Sequence, residues 1–280
     1  MVYKFPVIQA QNDLIVSAIS QELVIRGKIV DEAYNQGVPF AYVMIYKTDK
    51  GTLSDSLGNF RLDIPSVFST RQLLISSVGF RDTIVAMPTN MSEIRIIPKV
   101  VQLGPVVVFN KPIKEINIGS KRNSFIVNSL MVSYNFGWFR VYFPYGRSAN
   151  INSIAVNISE IKGKDLVINL RILKPDTSLR TYGEDLIGEN IIVHPTKTGW
   201  LRIDVSKYCN KIPSTGFIVD IAVAGNRIES RSLKEARKDP HISFNFTPEK
   251  VSYKWMSASI YDEHPLKGHR PAVKVYVQDN

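Results

Sequence analysis

The sequence predicts an all-β protein built as two consecutive β-sandwiches. Three observations predict it. Strand signals recur at short intervals along the 280 residues, while helical periodicity is confined to one segment. Between Arg26 and Phe80, turn residues and apolar alternation agree without a break. Beyond residue 126, runs such as Leu166-Val167-Ile168-Asn169-Leu170-Arg171-Ile172 alternate with the period of two that marks a strand. A chain of this length suggests two domains, each large enough to bury its own core.

Residues 1–20 read as an N-terminal extension with a scattered apolar pattern, and residues 21–109 as the first sandwich. Its strands are expected at Leu23–Val30, Ala41–Lys47, Asn59–Ile64, Gln72–Val78, Arg81–Ala86, Glu93–Ile97 and Val106–Phe109. Seven short strands separated by turn residues favour a sandwich. The segment Asp55-Ser56-Leu57-Gly58 reads as a turn with a physical cause. An Asp carboxylate accepts hydrogen bonds from the amides that follow it, and glycine adopts positive φ without steric cost. Phe60 then returns the chain to the core. The spaced oxygen ligands and terminal Glu of a calcium loop are missing, so this is a turn and not a metal site.

These residues resemble the carboxypeptidase-regulatory-like domain family, a transthyretin-like β-sandwich. The resemblance runs through Gly27-Lys28-Ile29-Val30-Asp31, Pro39 to Val43, Gly51 to Phe60, and Val78-Gly79-Phe80. It closes on Leu103-Gly104-Pro105-Val106-Val107-Val108, where Pro105 replaces the acidic residue usual in the family. The resemblance implies a non-enzymatic module and an exported, periplasmic or cell-surface protein of a Gram-negative bacterium. It carries no peptidase chemistry with it.

Residues 110–125 are polar and contain Pro112, which reads as a linker to a second, jelly-roll-like sandwich over 126–280. Its strands are expected at Trp138–Phe143, Ile151–Ile158, Leu166–Leu173, Ile191–Val193, Gly199–Val205, Gly216–Val223, His241–Phe246, Lys254–Ser259 and Ala272–Val277. A helix is expected only at Glu229–Lys238, ended by Asp239-Pro240.

Charge is distributed unequally. Residues 21–108 carry 9 Lys and Arg against 8 Asp and Glu, whereas residues 109–280 carry 25 against 16. The basic excess of the second half either attracts anionic partners or keeps the protein soluble. The single Cys209 excludes an internal disulfide and a cysteine-rich metal site. So few cysteines suit a reducing cytosol and an exported protein equally well. No stretch reaches the roughly 18 apolar residues of a membrane-spanning helix.

Catalytic constellations are missing from the sequence. No His is followed three residues later by Glu, and His-Glu-x-x-His is absent, so the zinc-peptidase pattern is not met. His264 and His269, near Asp262 and Glu263, fall in a loop set by Pro265 and Gly268. There is no Gly-x-Ser-x-Gly elbow and no glycine-rich phosphate loop. The strand carboxylates are few, chiefly Asp204 and Asp220. The expectation is a protein without enzymatic activity, cofactor or metal.

Binding is the better-supported chemistry. In Trp138-Phe139-Arg140-Val141-Tyr142-Phe143, alternation assigns Phe139, Val141 and Phe143 to the core face and puts Trp138, Arg140 and Tyr142 together on the opposite face. In Gly199-Trp200-Leu201-Arg202-Ile203-Asp204-Val205, it buries Leu201, Ile203 and Val205 and turns Trp200, Arg202 and Asp204 outward. Aromatic rings beside Arg and Asp suit the stacking and hydrogen bonding of a sugar; the alternative is that Trp200 covers the end of the sandwich and Trp138 packs on the linker or the first domain. The basic segment Arg227–Lys238 is interrupted by acids and lacks aromatics, so it reads as a solvated face and not a nucleic-acid surface. The expected partner is a glycan or an envelope protein; a purely structural spacer or protein-interaction protein is the alternative, and a hydrolase, which would need an acidic cleft that the strand pattern does not show, is the least favoured reading.

Overall fold

The computed structural model describes residues 22–48, 50–88, 92–99, 115–120, 126–133, 137–145, 149–164, 166–175, 183–208, 211–224, 241–247, 254–257 and 270–279. The fold is all-β, in two compact units, residues 1–98 and 99–280. The expected strand at Val106–Phe109, the helix at Glu229–Lys238, and the His264–His269 loop lie outside the described residues.

In the first unit the strands are β1 (Glu22–Asp31), β2 (Tyr42–Ile45), β3 (Gly51–Leu53), β4 (Asn59–Pro65), β5 (Gln72–Ser76), β6 (Thr83–Ala86) and β7 (Ser92–Ile96). They form a three-stranded sheet, β4-β1-β7, and a four-stranded sheet, β3-β2-β5-β6. Pairing is antiparallel except between β1 and β7. Ile25, Ile29, Phe60, Leu62, Ile64, Ile94 and Ile96 of the first sheet pack with Val43, Ile45, Leu73 and Ile75 of the second. That interleaving of two inner faces makes the unit a β-sandwich.

The motif residues have visible structural duties. Asp55 Oδ1 accepts the amides of Leu57 (2.8 Å) and Asn59 (2.9 Å), which ties the turn to its own backbone. Gly58 has φ +86°, and a Cβ there would sit 2.6 Å from the Ile29 carbonyl oxygen. A Cβ on Gly37 would meet the Leu57 oxygen at 1.9 Å. These glycines let the turn close on β1, where the Ile29 amide donates to the Gly58 carbonyl at 2.8 Å. Ser54, buried between them, accepts the Ala41 amide and donates to the Val38 carbonyl, both at 2.8 Å.

The second unit comprises β8 (Glu115–Asn117), β9 (Ile126–Ser133), β10 (Gly137–Phe143), β11 (Ala149–Lys162), β12 (Val167–Leu173), β13 (Ile191–Val193), β14 (Gly199–Asp204), β15 (Phe217–Ala224), β16 (His241–Thr247), β17 (Lys254–Ser257), β18 (Arg270–Pro271) and β19 (Val273–Asp279). Residues 115–117, inside the stretch expected as a linker, pair with β19. Five strands form one antiparallel sheet, β13-β12-β15-β10-β17. The other sheet runs β18-β16-β11-β19-β8, with β14 added on β11 and β9 on β16. The chain crosses between sheets at most steps, from β10 to β11 to β12 and again from β14 to β15 to β16 to β17. Phe139 of one sheet meets Phe244 of the other edge-on, with ring centroids 5.0 Å apart, in a core otherwise dominated by Ile and Val.

Strand β11 carries two irregularities that its apolar spacing records. Ile151, Ile154, Val156, Ile158 and Ile161 all face the core, so the period of two is broken twice by a gap of three. The pairing register shifts at those gaps, between Ile151 and Ser153 and between Ile158 and Glu160. An extra residue in a strand does this: it restores the inward face after the slip and bends the strand. Between the bulges, Ser153, Ala155 and Asn157 face away from the core.

Candidate binding face

The six residues singled out from sequence divide into two groups. On β10, alternation places the core residues correctly: Phe139, Val141 and Phe143 are fully or almost fully buried. Trp138 and Arg140 lie on the opposite face, as expected, but the expectation that they meet a ligand there is corrected, because they are 1% and 0% exposed. The reason is that β10 is an interior strand whose second face is covered as well. Arg140 stands directly across from Asp220 on β15, and Asp220 stands across from Arg171 on β12. Arg140 Nε lies 3.3 Å from Asp220 Oδ1, both side chains wholly buried. The Arg140 guanidinium also lies 4.7 Å from the Trp138 ring. Arg171 turns aside to Asp185, which accepts from Nε at 2.9 Å and Nη2 at 2.8 Å. Tyr142 is half-buried and donates its hydroxyl to the Thr215 carbonyl at 2.8 Å, tying β10 to the turn before β15.

The β14 group stands differently. Ile203 and Val205 are buried and Leu201 packs on the core, whereas Arg202 and Asp204 are exposed and Trp200 is half-buried. Ser153–Val156 of β11 pair with β14 and with β19 at once, so these two strands flank β11 on opposite sides. The outward face is therefore a set of rows across three strands: Trp200 beside Asn157, Arg202–Ala155–Lys274, and Asp204–Ser153–Tyr276.

Within this grid the cations lie on the rings diagonally. Lys274 reaches across to Trp200, its Nζ 4.0 Å from the ring centroid. Arg202 reaches the other way to Tyr276, at 4.2 Å, and its Nε donates to Ser153 Oγ at 2.8 Å. The small Ala155 between them lets both long side chains pass over β11, which explains why Ala155 and Ser153 are each only 2% exposed. On the neighbouring row, Asn245 of β16 donates to Asn157 Oδ1 at 2.7 Å.

Asp204 plays a local part. Its Oδ1 accepts the Ser206 hydroxyl (2.7 Å) and amide (2.9 Å) at the head of a 3-10 turn, Ser206–Tyr208. These hydrogen bonds, helped by the Arg202 and Lys207 charges, hold its carboxyl below the usual value. Asp204 is thus a carboxylate that shapes the end of β14. Lys274 and Tyr276 were the residues missed from sequence. Alternation in Val273-Lys274-Val275-Tyr276-Val277 gives their outward face, but only the pairing of β19 with β11 brings them beside β14. No group of three or more His, Cys, Asp or Glu able to hold a metal occurs among the described residues.

Comparison with known proteins bears on the first unit. Residues 25–108 match the model of the CarboxypepD_reg-like domain family. The matched segment runs from within β1 through β7, includes the Gly58 turn, and spans less than a third of the chain. The CarboxypepD_reg-like family is a regulatory, non-catalytic β-sandwich module, and that likeness speaks for this unit alone. No curated protein matches the chain. Among solved structures, the chain is similar to one described as "Structure of infectious bursal disease virus Gx strain". That match has 11% identity and a TM-score of 0.25, and covers 92% of this chain and 59% of the other. A likeness at that score carries no argument about fold or function. No helix among the described residues is long and apolar enough to cross a membrane.

Proposed function

We propose that this is a non-catalytic, exported cell-envelope protein in which the CarboxypepD_reg-like module spaces or docks the chain and the second sandwich binds a glycan. The observation that carries the reading is the outward face of β14, β11 and β19. There Trp200, Arg202, Lys274 and Tyr276 form one contiguous aromatic and cationic surface on a sheet whose other face is packed core. Aromatic bodies with polar tips, fixed on paired strands, suit sugar rings and their hydroxyls. The Arg140–Asp220 group supports an integral role in the fold for β10, which removes it from the binding surface.

A glycan array followed by titration calorimetry tests the reading. The wild-type chain is expected to retain a polysaccharide, and Trp200→Ala to weaken it strongly while Tyr34→Ala, an exposed aromatic of the first unit, leaves it intact. Binding that survives Trp200→Ala and Arg202→Ala unchanged would move the function elsewhere.

A further inference from the structure

The Trp200 ring is not an open stacking platform. Lys274 occupies one face of it, and Arg202 lies over the corresponding ring of Tyr276. A neutral sugar stacking on the covered face of either ring must first displace a cation that the ring attracts. An anion meets no such obstacle. The rings hold the two cations at defined places above Ala155, so less side-chain freedom remains to be lost when a negative group arrives.

The charge around the pair points the same way. Of the carboxylates on this side of the sheet, Asp204 has one oxygen occupied by Ser206 and is set at the end of β14, in the row beyond Arg202, and Glu160, farther along β11, lies 3.2 Å from His241 of β16. Lys207 follows directly in the 3-10 turn, although Glu189 pairs with it at 3.4 Å. Residues 109–280 carry 25 basic against 16 acidic side chains, a net charge that suits an anionic partner. Arg offers a planar fork matched to carboxylate geometry, and Lys a compact point charge.

From this geometry we infer that the ligand of the β14–β11–β19 face is an acidic polysaccharide, its carboxylates received by Arg202 and Lys274. The inference rests on the glycan-binding reading above and names the ligand class within it. The uronate carboxylate lies against Arg202 and Lys274, while the apolar edges of Trp200 and Tyr276 flank the sugar ring.

Calorimetry of the full chain with polygalacturonate, with the neutral glucan laminarin and with double-stranded DNA tests this directly. Polygalacturonate is expected to bind, weakening as salt rises, while the glucan and DNA do not. Lys274→Gln and Arg202→Gln should each lose about tenfold or more in affinity, the scale of one charge-assisted hydrogen bond. Lys162→Gln, on the far end of β11, should lose little. Trp200-dependent binding of laminarin with no effect of Lys274→Gln would overturn the acidic ligand and leave the glycan reading standing. Failure of both polysaccharides would overturn both. Equal binding of DNA and polygalacturonate, or equal losses in all three charge variants, would reduce the face to a nonspecific polyanion surface and also overturn the inference. Unchanged far-UV circular dichroism and unfolding midpoint in each variant separate lost binding from lost folding.

Discussion

Replacing Asp220 by Asn is expected to destabilise the second unit by about 3–5 kcal/mol. Asp220 and Arg140 are both 0% exposed and lie 3.3 Å apart on adjacent interior strands. The substitution preserves shape but removes the negative charge, so the Arg140 guanidinium stays buried without its carboxylate. Arg171 does not share the loss, since Asp185 holds it by two hydrogen bonds. The double change Arg140→Met with Asp220→Leu removes both charges together. It should come within about 1–2 kcal/mol of the wild type, because a buried pair replaced by apolar groups costs far less than a pair broken in half. The cation–π contact with Trp138, worth about 2 kcal/mol when desolvated, accounts for the residual loss. Urea unfolding followed by tryptophan fluorescence is a clean assay. All three tryptophans, Trp138, Trp200 and Trp255, belong to the second unit, so the first unit is silent. A loss below about 1 kcal/mol for Asp220→Asn, the range of an exposed pair, would refute the reasoning.

In the first unit, Gly58→Ala meets positive φ and the Ile29 carbonyl together and should cost about 1–3 kcal/mol; faster amide exchange along β1 reports it. Gly199→Ala shares the positive φ (+97°) but has no atom within 4 Å, so about 1 kcal/mol is expected, read by the fluorescence midpoint. Glu184 has its carboxyl lowered below the usual value, first by the Lys174 hydrogen bond at 2.6 Å and then by Lys99. Because the folded value lies below the unfolded one, its contribution is complete above the unfolded value and fades as pH falls through the folded one. The group is half exposed, so Glu184→Gln should flatten the acid side of the stability profile by only about 0.5 kcal/mol.

The strands and turns of this chain were largely legible because local chemistry decides them. The Asp55 turn follows from one carboxylate and one glycine, and β14 shows its faces by simple alternation. Gly51-Thr52-Leu53 gave no such signal: three residues are too few for a period, and β3 forms because β2 lies beside it. Glu115–Asn117 reads as polar linker and becomes a strand only through the edge offered by β19.

The same limit explains Trp138 and Arg140. Alternation tells which side chains oppose the core face, but not whether that opposite face meets water. Antiparallel sheets often leave one face solvated, yet Trp138 and Arg140 on the second face of β10 are buried. The hint was present in Asp220, a lone acid in Phe217-Ile218-Val219-Asp220-Ile221-Ala222-Val223, which is otherwise apolar enough for burial on both faces. Pairing it with Arg140 and Arg171 required the register, which is a long-range property. Lys274 and Tyr276 escaped notice for the same reason, since more than seventy positions separate Arg202 from Tyr276 in the chain.

The central claim is that the outward face of β14, β11 and β19 is where the ligand lies. Amide hydrogen exchange of the full chain with and without saturating polygalacturonate measures this most directly. The account predicts slower exchange in segments 199–204 and 273–279, with β10 and the whole first unit unchanged. Protection confined to the first unit, or to segments of the second unit away from β14 and β19, would contradict it.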